Sequence, residues 1–414
     1  MRATQETAIA AFTPVQKKTV LAAFLGWTLD AFDFFLLVFL LKDIAREFAV
    51  PVSSVAYAIF LTLAMRFIGA FVFGRLGDRY GRKPILMLDV ALFAVFGSLA
   101  AFAPTLAVFL VLRALFGIAM GGEWGLGSSL TMESVPPESR GLVSGILQCG
   151  YPTGYLLAAI TFGLLYQHSF FGYTVGWREM FLLSIVPAFL VLFIRSHVPE
   201  SPAFEQARRQ SRPALMATLA SHWKVALYAV LMMMCFNLFS HGTQDLYPTF
   251  LEKQMHFSAA QVSVISIVAN IGAITGGLLF GAWSERIGRV RAITVAALVV
   301  LPAIPLWAYA HEPVMLAVGA FVVQVGVQGA WGVIPAHLNE LSPGPVRATL
   351  PGFVYQAGNF LASYNGPFQA RIAEAHGGDY RLALAAVAGV VALAIAGVIQ
   401  FSPERRGEVM QVGA

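Results

Sequence analysis

Charge is scarce in this chain. Asp, Glu, Lys and Arg together make up 12% of its 414 residues, while 58% are hydrophobic. A soluble domain carries about a quarter charged residues. With a mean hydropathy of +0.72, the chain cannot cover its apolar surface with its own polar groups. A water-soluble globule, a disordered chain and a fibrous repeat are therefore excluded, and a polytopic membrane protein remains. Cysteine is nearly absent. Cys149 and Cys235 both sit inside apolar segments, which excludes a disulfide framework. There is no H-E-x-x-H, no G-x-S-x-G and no P-loop lysine pattern, so nothing supports an enzyme or calls for a cofactor or metal. The net charge of +5 bears on membrane topology and does not imply a nucleic-acid partner.

A membrane helix needs about 20 mostly apolar residues, which leaves room for about 12 spans. Pro, Gly and charge punctuation places them near 19–41, 54–74, 84–102, 105–128, 141–166, 177–197, 222–250, 259–283, 291–310, 314–337, 348–371 and 381–401. Residues 1–18 are polar, with Arg2, Lys17 and Lys18, and no small-residue cleavage site follows the first apolar run. That run is expected to be a retained span and not a signal peptide. With the N-terminus inside, the inner segments hold 19 Lys and Arg and the outer loops hold 6. The positive-inside bias then puts both termini in the cytoplasm.

The chain repeats itself. Gly74-Arg75-Leu76-Gly77-Asp78-Arg79-Tyr80-Gly81-Arg82 recurs as Gly281-Ala282-Trp283-Ser284-Glu285-Arg286-Ile287-Gly288-Arg289, at an offset of 207. The same offset carries Trp124-Gly125 onto Trp331-Gly332, Glu133 onto Glu340 and Arg140 onto Arg347. The expected organisation is an N-terminal six-helix bundle (1–197), a cytoplasmic linker (198–221, with Arg208, Arg209 and Arg212) and a C-terminal six-helix bundle (222–414). Two parallel six-span repeats are an arrangement of secondary transporters, with the substrate between the halves near mid-membrane.

Gly74 to Lys83 resembles the loop signature of the major facilitator superfamily between spans 2 and 3, with a weaker copy between spans 8 and 9. Arg113-xxx-Gly117-xxx-Gly121 resembles that superfamily's span 4 pattern, and Pro199-Glu200-Ser201-Pro202 its pattern after span 6. The resemblance implies an all-α membrane fold of 12 transmembrane helices in two pseudo-symmetric bundles. Gly74, Asp78, Arg79, Arg82, Glu285 and Arg286 are candidate members of a conformational latch, in which Asp78 meets arginines or a helix N-terminus across the halves. A static, orientation-setting loop is the alternative. Glu123, near the inner end of span 4, joins the gating candidates.

Intramembrane charge is expensive and so marks function. At 1.5 Å per residue, Asp30, Arg66 and Arg113 lie roughly 17, 18 and 12 Å into their spans. Asp33 stands one turn from Asp30 on the same helix face. Asp30 and Asp33 are candidate proton carriers, or alternatively structural partners of the arginines. Arg66 and Arg113 offer forked donors suited to a carboxylate, Arg66 being the better candidate because Arg113 belongs to the general pattern. In the second half the equivalent positions are Asn237, Ser240, Ala273 and Ala320, so the first half handles charge.

Span 7 supplies hydrogen bonds instead. Asn237, Ser240, His241 and Gln244 follow helical spacing and Asp245 flanks them, making a polar stripe that lipid cannot satisfy. Asn237 to Thr249 is similar to the signature N-x-x-S/T-H-x-S/T-Q-D-x-x-x-T of Jen-type carboxylate:proton symporters, and every specified position matches. That group lies within the sialate:proton symporter family, to which Gly26 to Phe34 is also similar. The resemblance implies symport of a lactate- or pyruvate-type monocarboxylate with a proton. On it, His241 and Asp245 are candidates for proton coupling and Asn237 and Gln244 for substrate contact. A neutral, satisfied histidine is the alternative for His241. Asn270, Gln324, Gln328, Tyr355, Gln356 and Asn359 are further candidates for hydrogen bonding, or for interhelical contact. Asn270 and Tyr355 are kept among the substrate-site candidates.

The expected function is thus proton-coupled transport of a small organic anion across the plasma membrane (the inner membrane in a bacterium), by a chain that works as a monomer. A larger organic acid, such as sialic acid, an aromatic acid or a dicarboxylate, is the alternative. A nutrient sensor and a passive channel are disfavoured by the short C-terminal segment, the repeat and the latch loops.

Overall fold

Thr13 starts the first helix: its hydroxyl accepts from the Gln16 N–H at 3.2 Å, and the Gln16 side chain accepts from the Thr13 N–H at 3.0 Å. Ser258 and Gln261 repeat this reciprocal cap at the start of another long helix. Such caps satisfy donors that the first turn leaves open. The computed structural model describes residues 12–50, 52–166, 169–170, 173–201, 204–205, 223–343, 346–347 and 349–407. Arg2, Pro202 and the linker arginines Arg208, Arg209 and Arg212 lie outside the described residues.

The helices of the first half are α1 (Pro14–Glu47), α2 (Val52–Tyr80), α3 (Arg82–Leu99), α4 (Leu106–Met120), α5 (Glu123–Ser134), α6 (Arg140–Gln148), α7 (Gly150–Leu165), α8 (Trp177–Leu182) and α9 (Val186–His197). Those of the second half are α10 (Trp223–Gln244), α11 (Tyr247–Lys253), α12 (Ala259–Ile287), α13 (Arg289–Ile304), α14 (Pro313–Leu341), α15 (Leu350–Ala362), α16 (Asn365–Ala375) and α17 (Tyr380–Val398). A two-residue hairpin, Ser169–Phe170 against Tyr173–Thr174, is the extended structure among the described residues.

Ten helical stretches among the described residues are long and apolar enough to cross a membrane. The two remaining expected spans, 141–166 and 348–371, are helical but each is built in two pieces, α6–α7 and α15–α16. Proline explains both breaks. Pro152 cannot donate to the Gln148 carbonyl, nor Pro367 to that of Ser363. The twelve elements form two bundles of six.

Large apolar side chains such as Phe102, Phe189, Val314 and Val390 are exposed on the outer surface, as lipid-facing positions must be. Inside the first half, Leu36, Leu37, Leu40, Phe109 and Phe181 are buried together. Inside the second, Met232, Phe236, Phe239, Ile293 and Val300 are.

Pseudo-symmetry extends to backbone detail. Gly81 and Gly288, 207 residues apart, have φ of 117° and 95°, a region that L side chains rarely enter. Each lets the chain turn sharply between two long helices. Arg82 then meets Glu133 at 3.3 Å and Asp78 at 3.4 Å. Its equivalent Arg289 meets Glu340 and Glu285, both at 2.9 Å. Glu200 accepts from the Arg82 and Lys83 N–H groups at the start of α3, and Glu404 accepts from the Val290 N–H at the start of α13.

Candidate functional site

Among the described residues, a larger and a smaller cavity are each lined by both bundles. The larger, about 710 Å³, is lined by Phe34, Phe35, Tyr151 and Tyr155 from the first half and by His241, Gln244, Asp245, Asn270, Gln324 and Asn359 from the second. Its lining runs out to Val38, Phe60, Pro248 and Ser363, in the parts of their helices farthest from the basic loops. At its inner end a chamber of about 40 Å³ is lined by Trp27, Asp30, Arg66, Gln148, Asn237, Ser240, Gln328 and Tyr355. His241, Tyr151, Phe34 and Asn359 line both spaces, so the two are continuous in their walls.

Asp30 and Arg66 form a buried ion pair, Nη2 to Oδ1 at 2.7 Å. The second Asp30 oxygen and the Arg66 Nε have no hydrogen-bond partner, which leaves binding capacity at the chamber wall. Asp33 does not line either cavity. It points to the other side of α1, where its Oδ1 accepts from the Ser184 hydroxyl at 2.9 Å. Arg113 is also set back. Its guanidinium is fully buried over the ring of Phe116 at 3.9 Å and near Phe181 at 5.7 Å, with none of its nitrogens hydrogen-bonded. Asp33 and Arg113 therefore neighbour the chamber without facing it, and the structure separates them from the Asp30–Arg66 pair that the sequence grouped with them.

The polar stripe of α10 is held by other helices. His241 Nδ1 lies 3.2 Å from Asp245, and its Nε2 lies 3.1 Å from the Asn359 Oδ1. Because Asn359 Oδ1 can only accept, the geometry suits Nε2–H as donor. Gln244 donates to Gln324 at 2.9 Å, and Gln324 to the Thr243 hydroxyl at 3.3 Å. Asn237 donates to the Met233 carbonyl at 2.8 Å, and Asn270 to that of Ser266 at 2.9 Å. Both amides thus turn partly back onto their own helices while lining the cavities.

Tyr355 anchors an aromatic cluster between the halves. Its ring lies 4.9 Å from that of Trp124, 5.3 Å from Trp331 and 6.4 Å from Trp27. Trp124 and Trp331 are the pair related by the 207-residue repeat, and both converge on the same tyrosine. Trp27 stacks on Tyr151 at 6.0 Å. The chamber's inner wall is consequently aromatic, and a ligand there meets ring faces on one side and the Asp30–Arg66 pair on the other.

Beyond the aromatic cluster the halves are closed at the basic end. The Thr349 N–H donates to Asp78 at 3.0 Å, and the Thr349 hydroxyl bonds the same oxygen. The Glu285 carboxylate accepts from the Gly141 N–H. Ser144 accepts from the Ala336 N–H at 3.1 Å, and Arg347 approaches Glu133 at 3.7 Å. Burial pulls the Arg347 guanidinium below its ordinary value, against the attraction of Glu133. Gly74 is buried, while Arg79 and Arg286 are exposed, Arg79 lying over the Tyr80 ring. Arg82, Arg289 and Arg347 are buried arginines of this network. Glu123 is buried nearer the middle. Asp89, buried in α3, escaped the sequence reading, although an acid in the middle of an apolar span was itself the signal. Among the described residues no cluster suited to a metal ion occurs.

The whole arrangement matches known proteins. The Major Facilitator Superfamily family model covers residues 23–245 and 246–409. A carboxylic acid transporter protein homolog of Saccharomyces cerevisiae is 30% identical over 85% of this chain, which spans 60% of the yeast protein's length. A probable 4-methylmuconolactone transporter of Cupriavidus pinatubonensis is 31% identical, over 85% of this chain and 82% of that one. The structure of the proton:xylose symporter XylE superposes with a TM-score of 0.81 at 18% identity, covering 96% of this chain and 98% of the other. At that identity the likeness speaks for the fold. Taken with the repeat, the helical bundles and the cavity between them, these matches make the chain a member of the major facilitator superfamily, a multi-pass transporter of the plasma membrane and not an enzyme.

Proposed function

We propose that this transporter carries a small monocarboxylate of the lactate or pyruvate type together with a proton, by alternating access. One observation carries the reading: the buried Asp30–Arg66 pair, 2.7 Å apart, at the inner end of a cavity whose opposite wall holds His241 and Asp245. A substrate carboxylate that engages the guanidinium competes with Asp30 for it. Release of Asp30 from its cation favours uptake of a proton, so anion and proton binding support each other. Moving a monoanion with one proton is electroneutral, and the pH gradient then drives accumulation.

In this reading Arg66, Asn237, Gln244, Asn270 and Tyr355 contact the substrate. Asp30, His241 and Asp245 take part in proton coupling, and Asp33 and Arg113 act as an adjoining charge pair. Asp78, Arg82 and Glu285 latch the halves (1–197 and 222–414, joined by 198–221). The basic end with both termini faces the cytoplasm, on the strength of the positive-inside bias, so the cavity faces outward. The working unit is the monomer in its bilayer. The name of the yeast relative supports a carboxylic acid as cargo.

A larger unsaturated or aromatic acid is the second reading. The aromatic wall around Tyr355 and the roughly 710 Å³ of adjoining cavity favour it, as does the methylmuconolactone relative. Counterflow of labelled L-lactate in proteoliposomes, with and without an inward proton gradient, tests the two. Uptake raised by the gradient and lost in Arg66→Ala is expected. Competition by aromatic or sialic acids with no lactate flux would replace the first reading with the second.

A further inference from the structure

Two buried acids remain unused by the site described so far. Asp89 of α3 is 0% exposed; the Gly122 N–H is its nearest polar partner, and no cation or side-chain donor bonds either of its oxygens. Glu123, the first residue of α5, is 1% exposed, and its Oε2 has no partner. They are joined in space by glycines. The Asp89 Oδ1 lies against the Cα of Gly122, the residue before Glu123, in the room that a side chain there would fill. The Glu123 Oε1 lies in the same way against Gly26, one helical turn before Asp30.

The order in depth is as telling as the contacts. The start of α1, the end of α5 and the start of α3 share one level, since Gln16 donates to the Ser134 carbonyl and Arg82 meets Glu133. At 1.5 Å per residue, Asp89, Glu123 and Asp30 stand about 10, 16 and 21 Å above that level. They form a descending series from the chamber toward the basic end. The charged groups within electrostatic reach of Asp89 are Glu123, Asp30 and Arg66, and those of Glu123 are Asp30 and Arg66. The one cation among them, Arg66, is already held by Asp30. Asp33 and Arg113 lie off this line, engaged with Ser184 and with Phe116.

An ionised carboxylate alone in the membrane interior is far costlier to bury than a neutral acid. An unpaired acid couple there is suited to carrying protons. We propose that Glu123 and Asp89 form a proton relay that takes the proton from Asp30 to the basic end. This rests on the symport reading above and names the route it would use. Asp89 releases its proton beside the Arg82–Asp78–Glu133 network, Glu123 then passes its own proton to the Asp89 carboxylate, and the Asp30 carboxyl reprotonates Glu123. No electrons move, and each acid is restored by the next proton. The break between α4 and α5 at Gly121–Gly122 gives the relay its place, because a continuous helix with side chains there would separate Asp89 from Glu123.

Asp89→Asn and Glu123→Gln keep the shape of the neutral acids and remove the transferable proton. In proteoliposomes with L-lactate as probe, gradient-driven accumulation should fall at least ten-fold in either variant. Lactate counterflow, which needs no net proton release, should stay within two-fold of the parent. In infrared spectra each variant should lose a protonated-carboxyl band present in the parent. Accumulation equal to the parent's would overturn the relay, and so would counterflow lost in step with accumulation, which marks structural residues. A parent whose lactate flux ignores the gradient would overturn the symport reading and the relay with it; there the parent fails, whereas in failure of the relay alone only the expected behaviour of the variants fails.

Discussion

Asp78 and Glu285 stand 207 residues apart in the repeat, and each reaches the first turn of a helix in the opposite half. Asp78 accepts from Thr349, which precedes α15, and Glu285 from Gly141 at the start of α6. A carboxylate is favoured at a helix N-terminus by the free N–H groups and the dipole there. The two contacts form reciprocally, and both must break for the basic end to open. A change of state breaks these two charge-assisted sites together with the Ser144–Ala336 and Arg347–Glu133 contacts.

Asp78→Asn should weaken that closure. Hydrogen bonds to a charged group contribute about 1.5–3 kcal/mol, which is about a 10- to 150-fold change in the closed-to-open ratio. Spin labels across the basic end, on either side of the Asp78–Thr349 contact, should show the short distance losing population. An unchanged distance distribution would mean that the contact follows closure and does not hold it.

Close packing provides a second lever. Gly145 of α6 lies so near the Gly277 backbone of α12 that a Cβ at Gly145 would run into the Gly277 carbonyl oxygen. Nothing within the first half requires this glycine, because the crowding comes from the other half. Gly145→Val should leave each bundle folded and prevent closure at the basic end. Thiol labelling near Ser144 should rise while the thermal midpoint stays close to the parent's. A large drop in the midpoint instead would place the strain inside the bundle.

Much of the fold was legible from the chain. The offset of 207 relates residues that perform equivalent contacts, as Arg82–Glu133 and Arg289–Glu340 do. The number of membrane elements followed from apolar length, while breaks within spans, as at Gly121–Gly122, Pro152 and Pro367, were passed over. The site was less legible. Asp30 and Arg66 meet, but Asp33 and Arg113 turn aside, since neighbours on one helix face can still point to different partners once the other helices are in place. Of the latch candidates, Asp78, Arg82 and Glu285 make contacts at the basic end, where Arg289 and Arg347 join them. A run of arginines shows that a loop is basic; the direction of each side chain depends on helix phase against the opposite half.

The Glu200 cap offers a test outside the membrane. Burial pushes its carboxyl above the ordinary value of 4.5, although the Ser201, Arg82 and Lys83 N–H groups and the Arg82 charge pull the other way. An acid whose folded value is raised contributes stability below its ordinary range, and that share is lost as pH rises through the folded value. Glu200→Gln should flatten this part of the profile. Glu200→Ala also loses the acceptor at the start of α3, at a cost of about 1 kcal/mol. Thermal midpoints of the purified protein across pH check both.

The Asp30–Arg66 pair separates the binding role of the arginine from its structural one. Arg66→Ala leaves Asp30 buried without its cation, a change that typically destabilises by about 3–5 kcal/mol. Lost uptake in that variant alone is therefore ambiguous. Asp30→Asn combined with Arg66→Ala removes both charges and should recover most of the thermal midpoint. Uptake of labelled carboxylate should nonetheless stay absent, because the forked donor that faces the chamber is gone. Arg66→Lys should retain the charge and the fold but bind substrate at least ten-fold more weakly, since an ammonium lacks the planar fork that holds a carboxylate by two hydrogen bonds. If the double variant recovers stability and transport together, the carboxylate is held elsewhere, and the His241–Asn359 wall becomes the site to test.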